Sequence, residues 1–285
     1  MHFLPCHFNL KITQGIALIA LGSGAIVAAE VIEPPHHVDQ HVSTKASDEA
    51  MNTQFPPGVI GTGWPMPVMD DQWFGSMLAN ELEYQLRDGT DYVSWDIVGW
   101  YGGDYDRLWI KTEGEWQVED AHGGVAEAQA LYGRLIAPYW DVQVGVRYDL
   151  FSDEGHNQSR GFGVLGLQGL APYWFEIEPE FFVSEDGDVS GRLTVSYELT
   201  LTQRLILQPR FDLDAAVQAV PKFQVGKGVD SMTIGLRLRY EFYREMAPYI
   251  GLVWQRSYGE TADLKQASGE KTEHVAGIIG VRVWL

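Results

Sequence analysis

Side chains that could bind a metal ion lie in the N-terminal quarter of the chain. Three histidines fall within six positions, and a Met-x-x-Met pair followed by two aspartates comes later. Imidazole suits Cu(II), Zn or Ni, whereas methionine thioethers select the softer Cu(I). The candidate ligands are His36, His37, His41, Met66, Met69, Asp70 and Asp71. The pattern predicts a metal-binding segment; a solvated histidine-bearing tail and ordinary packing of the methionines are the alternatives.

Charged residues of both signs recur at alternate positions in several later segments. Because alternate residues of a β-strand share one face, these charges would face one side of a sheet, opposite the apolar residues. The acidic members are Glu81, Glu83, Glu176, Glu178, Glu180, Asp212 and Asp214, and the basic members are Arg192, Arg204, Arg210, Arg237 and Arg239. Inside a barrel they could pair and fill the interior, or they could line an ion path. We count Glu81, Glu176 and Glu178 among the candidate metal-binding residues.

A hydrolytic site is a further alternative, because some outer-membrane barrels carry Ser, His and a carboxylate or carboxamide at one rim. The residues that could contribute are Ser152, Asp153, His156, Asn157, Ser159 and His274. The sequence contains no Gly-x-Ser-x-Gly motif, and no spacing favours a particular pairing. We therefore expect that the protein is not an enzyme.

The element that would position these residues is a long alternating β-strand, seen most clearly from Trp140 to Leu150. Every second residue there is large and apolar, and the others are polar or glycine. About 9 to 11 tilted residues suffice for a β-strand to cross a bilayer. From Gly75 onward the chain divides into twelve such segments, which predicts an all-β, transmembrane antiparallel barrel of about 12 strands. The predicted spans are 76–87, 91–101, 105–116, 125–136, 139–151, 160–171, 173–185, 188–201, 203–218, 229–243, 247–258 and 273–285.

The connections between these segments tend to alternate in length. Long loops are predicted at 113–124, 152–159, 219–228 and 258–272, with His122 and His156 inside two of them. The links between them are short, and two begin with the repeated motif Ala-Pro-Tyr-Trp. Short periplasmic turns and long extracellular loops are typical of outer-membrane barrels. Pro179 and Pro209 fall inside predicted strands and suggest local bulges or misplaced boundaries.

The N-terminal residues and the overall charge bound the location and the function. Lys11 and the apolar run 15–27, ending in small residues, predict a signal peptide over residues 1–29. The only cysteine, Cys6, precedes that run. Residues 30–72 are rich in turn formers and predict a flexible periplasmic arm, followed by the barrel at 73–285. A formal net charge of −19 argues against nucleic-acid binding, which needs clustered Lys and Arg.

Several long runs resemble the bacterial copper resistance protein B family of outer-membrane proteins. They begin at Met66 (Met-Pro-Val-Met-Asp-Asp-Gln), at Gly99 (Gly-Trp-Tyr-Gly-Gly-Asp-Tyr-Asp-Arg-Leu-Trp) and at Ile136 (Ile-Ala-Pro-Tyr-Trp-Asp-Val-Gln-Val-Gly). Further runs begin at Gly166, Leu201 and Leu236, and the resemblance covers about 66–285. It implies a barrel of the bacterial outer membrane that acts in copper tolerance, with copper ions and periplasmic copper proteins as partners. The arm has fewer methionines and histidines than the family's usual repeats.

Together, the residues and the resemblance predict a passive copper-handling barrel. Met66, Met69 and the neighbouring aspartates would receive Cu(I) or Cu(II) at the periplasmic mouth, assisted by the three histidines of the arm. The acidic interior would favour cations. The alternative is a copper sequestration protein for which the barrel serves only as an anchor in the lipid.

Overall fold

The computed structural model describes residues 72–87, 89–118, 123–153 and 156–285, and these form a closed antiparallel barrel. Each strand pairs with its neighbours along the chain, and the first strand pairs with the last, so that the sheet has no free edge. The predicted signal peptide and nearly all of the predicted arm lie outside the described residues.

The described part of the chain contains thirteen strand segments and one α-helix. Two of the segments, β8 and β9, form one interrupted strand, so the barrel has twelve strands around its circumference. The segments are β1 (Phe74–Arg87), β2 (Tyr92–Gly102), β3 (Asp106–Gln117), β4 (Gly124–Ala137), β5 (Trp140–Asp153), β6 (His156–Ala171), β7 (Phe175–Ser184), β8 (Val189–Ser196), β9 (Leu199–Thr200), β10 (Leu205–Ala216), β11 (Gly228–Tyr240), β12 (Met246–Ser257) and β13 (Glu273–Trp284), with α1 (Gly259–Ala267) between β12 and β13.

The prediction of about twelve strands is confirmed, with boundaries that differ by a few residues. One expectation about the connections was wrong, and a second was correct in its bounds but missed a helix. Strand β5 ends at Asp153 and strand β6 begins at His156. The predicted long loop at 152–159 is therefore largely strand. The predicted loop at 258–272 contains the helix α1, which has no strong apolar periodicity to reveal it. No helix within the described residues is long and apolar enough to cross a bilayer.

Pro179 and Pro209 interrupt strand pairing without shifting its register, so the expected bulges do not occur at these two positions. Pro209 lies opposite Tyr197, whose amide donates to the Pro209 carbonyl at 3.1 Å. Because proline has no N–H to return that bond, regular pairing stops there and resumes at β9. The β6–β7 ladder likewise has a gap at Pro179, between the pair Gly166–Glu180 and the pair Gly169–Ile177.

The barrel exterior is apolar and the interior is polar, as the alternation predicts. Along β5, Val144, Val146, Tyr148 and Leu150 are exposed outward, whereas Gln143 and Asp149 are buried inside. The five connections at the end where β1 begins and β13 ends are all short, two to five residues, and we call it the short-turn end; the opposite end, which has the three longest connections together with three short ones, is the long-loop end. Exposed aromatic residues ring the short-turn end: Tyr101, Tyr105, Tyr139, Tyr173, Trp174, Tyr243 and Trp284. Such rings lie at the headgroup level of a membrane.

A β-bulge in β1 sets the position of two interior carboxylates. Ala79 pairs with Ile97 but Glu81 pairs with Asp96, so Asn80 is one extra residue on β1. Before the bulge, the even-numbered residues Ser76 and Leu78 face the interior. The extra residue reverses the alternation, so that after the bulge the odd-numbered Glu81 and Glu83 face the interior.

Candidate functional site

The N-terminal candidate ligands lie outside the described residues, so their role stays a prediction. They are His36, His37, His41, Met66, Met69, Asp70 and Asp71. Met69 precedes Phe74, the first residue of β1, by five positions.

A cavity of about 620 Å³ fills the short-turn end of the barrel, and we call it the vestibule. One wall is apolar and aromatic and includes Trp100 and Trp109, whose ring centroids are 6.3 Å apart. The remaining walls carry charged side chains of both signs: Glu176, Glu178, Glu198, Glu241, Glu245, Arg239, Arg244 and Arg282. Glu198 is shared by Arg239, at 3.0 Å, and by Arg282. The vestibule thus offers carboxylates to a cation that enters at this end.

Five side chains are shared by the vestibule and a second, smaller cavity. The residues that line both the vestibule and a smaller cavity of about 50 Å³ beyond it are Asp96, Lys111, Glu178, Thr194 and Arg210. Lys111, on β3, reaches Glu178 and Glu180, on β7, with its ammonium nitrogen 3.2 Å from an oxygen of each. Because β3 and β7 are not neighbouring strands, this contact crosses the interior and narrows it.

Two arginines share Glu81 on one side of the barrel centre. Arg210 Nη1 lies 2.9 Å from Glu81 Oε1, and Arg237 Nη2 lies 2.7 Å from Glu81 Oε2. Arg210 also contacts Asp96 at 2.7 Å and Asp212 at 3.1 Å, and Arg237 contacts Glu83 at 2.6 Å. Planar guanidinium groups suit such divided contacts because they present five donors in a fixed arrangement. Glu81 is therefore held by cations of the protein itself.

A second group of ion pairs joins β3, β4, β5, β8 and β10. Arg147 contacts Glu127 and Asp149, each at 2.7 Å. Arg192 also contacts Glu127, at 3.3 Å, and its other partners are Glu113 and, at 3.0 Å, Asp214. Glu127 thus connects the two arginines across the interior.

Carboxylates outnumber cationic side chains in this central network. Ten carboxylates contact five cations, namely Lys111, Arg147, Arg192, Arg210 and Arg237. With every group in its ordinary charge state the network carries an excess of five negative charges. An enclosed region of one sign raises the local concentration of counter-ions, so the network in its fully ionised state would attract cations.

Most of the predicted interior charges are where the alternation placed them, but Arg204 is not. Arg204 lies in the exposed turn before β10, since that strand begins at Leu205. The prediction also missed Asp96, Lys111, Glu113 and Glu127, which face the interior from β2 to β4, whereas Arg147 and Asp149 lie on the polar face predicted for the strand from Trp140 to Leu150. The same period of two, applied to those strands, would have found them. Within the described residues, no three His, Asp or Glu side chains converge as a metal site would require.

The residues of the hydrolytic alternative divide between two parts of the barrel: His274 lies on β13, and the others lie together on the paired strands β5 and β6. His274, on β13, contacts the Gln255 side-chain oxygen through its Nε2 at 2.8 Å. Ser152 lies on β5, and Asn157 and Ser159 lie on β6, neither of which neighbours β13. The structure therefore does not bring His274 to these serines.

Known proteins resemble the chain over most of its length. Residues 73–285 match the family described as "Copper resistance protein B precursor (CopB)". Copper resistance protein B of Escherichia coli is 41% identical over 282 residues, which cover 91% of this chain and 93% of that protein. A copper resistance protein B homolog of Pseudomonas syringae pv. tomato is 37% identical over 207 residues, 73% of this chain and 68% of that one.

Solved porin structures also align with the barrel at low identity. The NanC porin is 13% identical with a TM-score of 0.49, and the KdgM porin is 10% identical with a TM-score of 0.44. Each alignment covers 73% of this chain and 98% of the porin.

Proposed function

Because the chain belongs to the copper resistance protein B family, we propose that it binds copper ions at the periplasmic end of its barrel and passes them through the interior. The barrel lies in the bacterial outer membrane, with an apolar exterior for the lipid and an aromatic ring at the short-turn end. The short-turn end faces the periplasm, because short turns of such barrels are periplasmic.

The vestibule is the observation that carries this proposal. It lies at the periplasmic end, it has room for a hydrated ion, and Glu176 and Glu178 are on its wall. Glu176 is exposed and accepts a hydrogen bond from Ser196 at 3.3 Å, so its carboxylate is accessible to an arriving cation.

In this proposal Met66 and Met69, which precede Phe74 at the start of β1 by eight and five positions, deliver copper to the vestibule. Their thioethers would bind Cu(I), and Asp70, Asp71 and the arm histidines would extend the ligand set to Cu(II). From the vestibule an ion would move between carboxylates: from Glu178 to Glu180, and from there to Glu127, since Gln129 hydrogen-bonds both of the latter. The protein supplies no energy on this route, so movement follows the copper gradient.

Titration with Cu(I) and with Cu(II) tests the ligand part of the proposal. Replacing Met66 and Met69 by Leu in the mature protein is expected to weaken Cu(I) binding at least tenfold. Met77→Leu is the matched control, because Met77 is exposed on the outer face of β1. Unchanged Cu(I) affinity in the double variant would contradict the assignment of the two methionines.

Copper sequestration, with the barrel as an anchor, is the second candidate function. The observation that favours it is the barrel centre, where ion pairs fill the interior and leave a cavity of only about 50 Å³. Conductance in planar bilayers separates the two candidates. Ion passage predicts discrete cation-selective currents, whereas an anchor predicts copper binding without any current.

A further inference from the structure

The loop between β10 and β11 folds into the long-loop mouth of the barrel. We call residues 217–227 the lid. Its tip is a compact turn: Val220 and Val225 pair with each other, and the Phe223 amide donates to the Val220 carbonyl at 3.0 Å. The lid is therefore a preformed unit that can move as one piece.

Hydrogen bonds hold one side of the lid to α1 and to the residues that follow it. The Gly226 amide donates to Thr261 Oγ1 at 2.7 Å, and the Lys227 amide donates to Glu260 Oε2 at 3.0 Å. The Gln224 side chain donates to Glu270 at 2.7 Å. The lid and α1 consequently form one layer over the mouth.

The first residues of the lid bond to β8, where the Val217 amide donates to the Val189 carbonyl and the Val189 amide donates to Gln218 Oε1, each at 2.9 Å, and the tip of the lid reaches the far wall through the Phe223 ring. The Phe223 ring lies 5.2 Å from the Phe151 ring and 4.9 Å from the Arg160 guanidinium. Phe151 shares the interior-facing alternation of Asp149, and Arg160 is buried, with Ser184 and Asp188 as partners. Since these residues lie on β5 and β6, several strands away from β10, the Phe223 ring has crossed into the mouth.

We propose that the lid closes the extracellular mouth of the barrel and that the Phe223 ring must leave the far wall before copper ions can exit. We call this ring the latch. The far-wall contacts of Phe223 are ring contacts without backbone hydrogen bonds, so they can break while the lid stays attached to α1. The role of the latch in copper release rests on the proposed function; closure of the mouth does not.

Thiol accessibility tests closure without copper. Cys6, the only cysteine of the sequence, lies in the predicted signal peptide, so a cysteine introduced into the barrel can be followed cleanly. Thr233→Cys places a thiol on the interior face of β11, opposite Asp212, and a membrane-impermeant maleimide added to intact cells reports its exposure. We expect Phe223→Ala to accelerate its labelling at least tenfold.

Ser196→Cys is the matched control, because Ser196 lines the vestibule at the other end. Its labelling should not change with Phe223→Ala. Equal labelling of Thr233→Cys with and without the Phe223 ring would overturn the closed mouth. Equal acceleration at both positions would show a loosened barrel and would overturn the lid as well.

Locking the lid then tests its role in copper release. A short bismaleimide joins Phe151→Cys to Phe223→Cys, and the control pair Val220→Cys and Val225→Cys is joined within the lid. We expect cells with the locked pair to retain periplasmic copper as cells without the protein do, while the control pair behaves as wild type. If both pairs release copper equally, the latch is wrong and the proposed function stands. If wild type itself releases none, copper passage is wrong and the labelling result alone decides closure.

Discussion

The ammonium nitrogen of Lys111 lies 3.2 Å from Glu180 Oε1, and this contact joins strands that are four positions apart around the barrel. Both side chains are largely buried, with exposed fractions of 15% and 7%. The pair therefore links two separated strands across the inner end of the vestibule, and we call it the Lys111 crosspiece. It also means that an incoming cation competes with a cation that the protein supplies.

Removal of this cation is expected to destabilise the barrel. Lys111→Met leaves two carboxylates, Glu178 and Glu180, without the ammonium that both contact. Loss of one partner from a buried ion pair costs about 3 kcal/mol of unfolding free energy, because the remaining charge stays buried. Urea titration of the folded barrel, followed by tryptophan fluorescence, measures this difference.

Lys227→Met is the control for that measurement. Lys227 is exposed at the end of the lid, and the same substitution there should change the unfolding free energy by less than about 0.5 kcal/mol. Equal stability of the two variants would mean that the Lys111 crosspiece does not hold the barrel together.

The membrane-facing surface makes a second prediction. Val146 lies in the middle of β5 and is 62% exposed, and Val217 is 58% exposed in the lid. An arginine at position 146 should lower the unfolding free energy in liposomes by about 2 to 4 kcal/mol, because the lipid cannot solvate it. An arginine at position 217 should have little effect. Similar losses at both positions would contradict the assignment of the outer face of β5 to the lipid.

Close packing inside the barrel makes a third prediction. A Cβ atom at Gly145 would lie 2.8 Å from the Leu131 Cα and would overlap the Ala130 carbonyl. Leu131 is fully buried, so this part of the interior cannot expand without moving a strand. Gly145→Ala should therefore cost about 1 to 3 kcal/mol.

Gly277→Ala serves as the comparison, since nothing lies within 4 Å of a Cβ atom at Gly277. Its unfolding free energy should match that of wild type. A tolerated alanine at position 145 would show that β4 and β5 are less tightly packed than the structure indicates.

The strands could be predicted from the sequence because each of them separates lipid from a polar interior. Each strand therefore has apolar and polar residues at alternate positions. This alternation correctly predicted that Glu83, Glu180 and Arg237 face the interior. The prolines misled the prediction slightly: a missing N–H at Pro209 interrupts pairing, and the flanking residues keep their register.

The contacts across the interior could not be predicted in the same way. Lys111 and Glu180 are 69 residues apart, and their meeting depends on how the closed barrel staggers its strands. The lid presents a related difficulty, because the approach of Phe223 to Phe151 depends on the path of a loop and on the support of α1. Sequence periodicity indicates which face of a strand a residue lies on, but it does not indicate which residues meet across the barrel interior.

Copper content measured separately in periplasm and cytoplasm tests the central claim most directly. Cells that express the protein and cells that lack it are loaded with copper and then transferred to copper-free medium, so that the copper gradient points outward. The account predicts lower periplasmic copper when the protein is present, because ions leave through the vestibule and the barrel interior. Higher envelope copper, with the increase bound to the membrane fraction, would contradict passage and would assign the protein to sequestration.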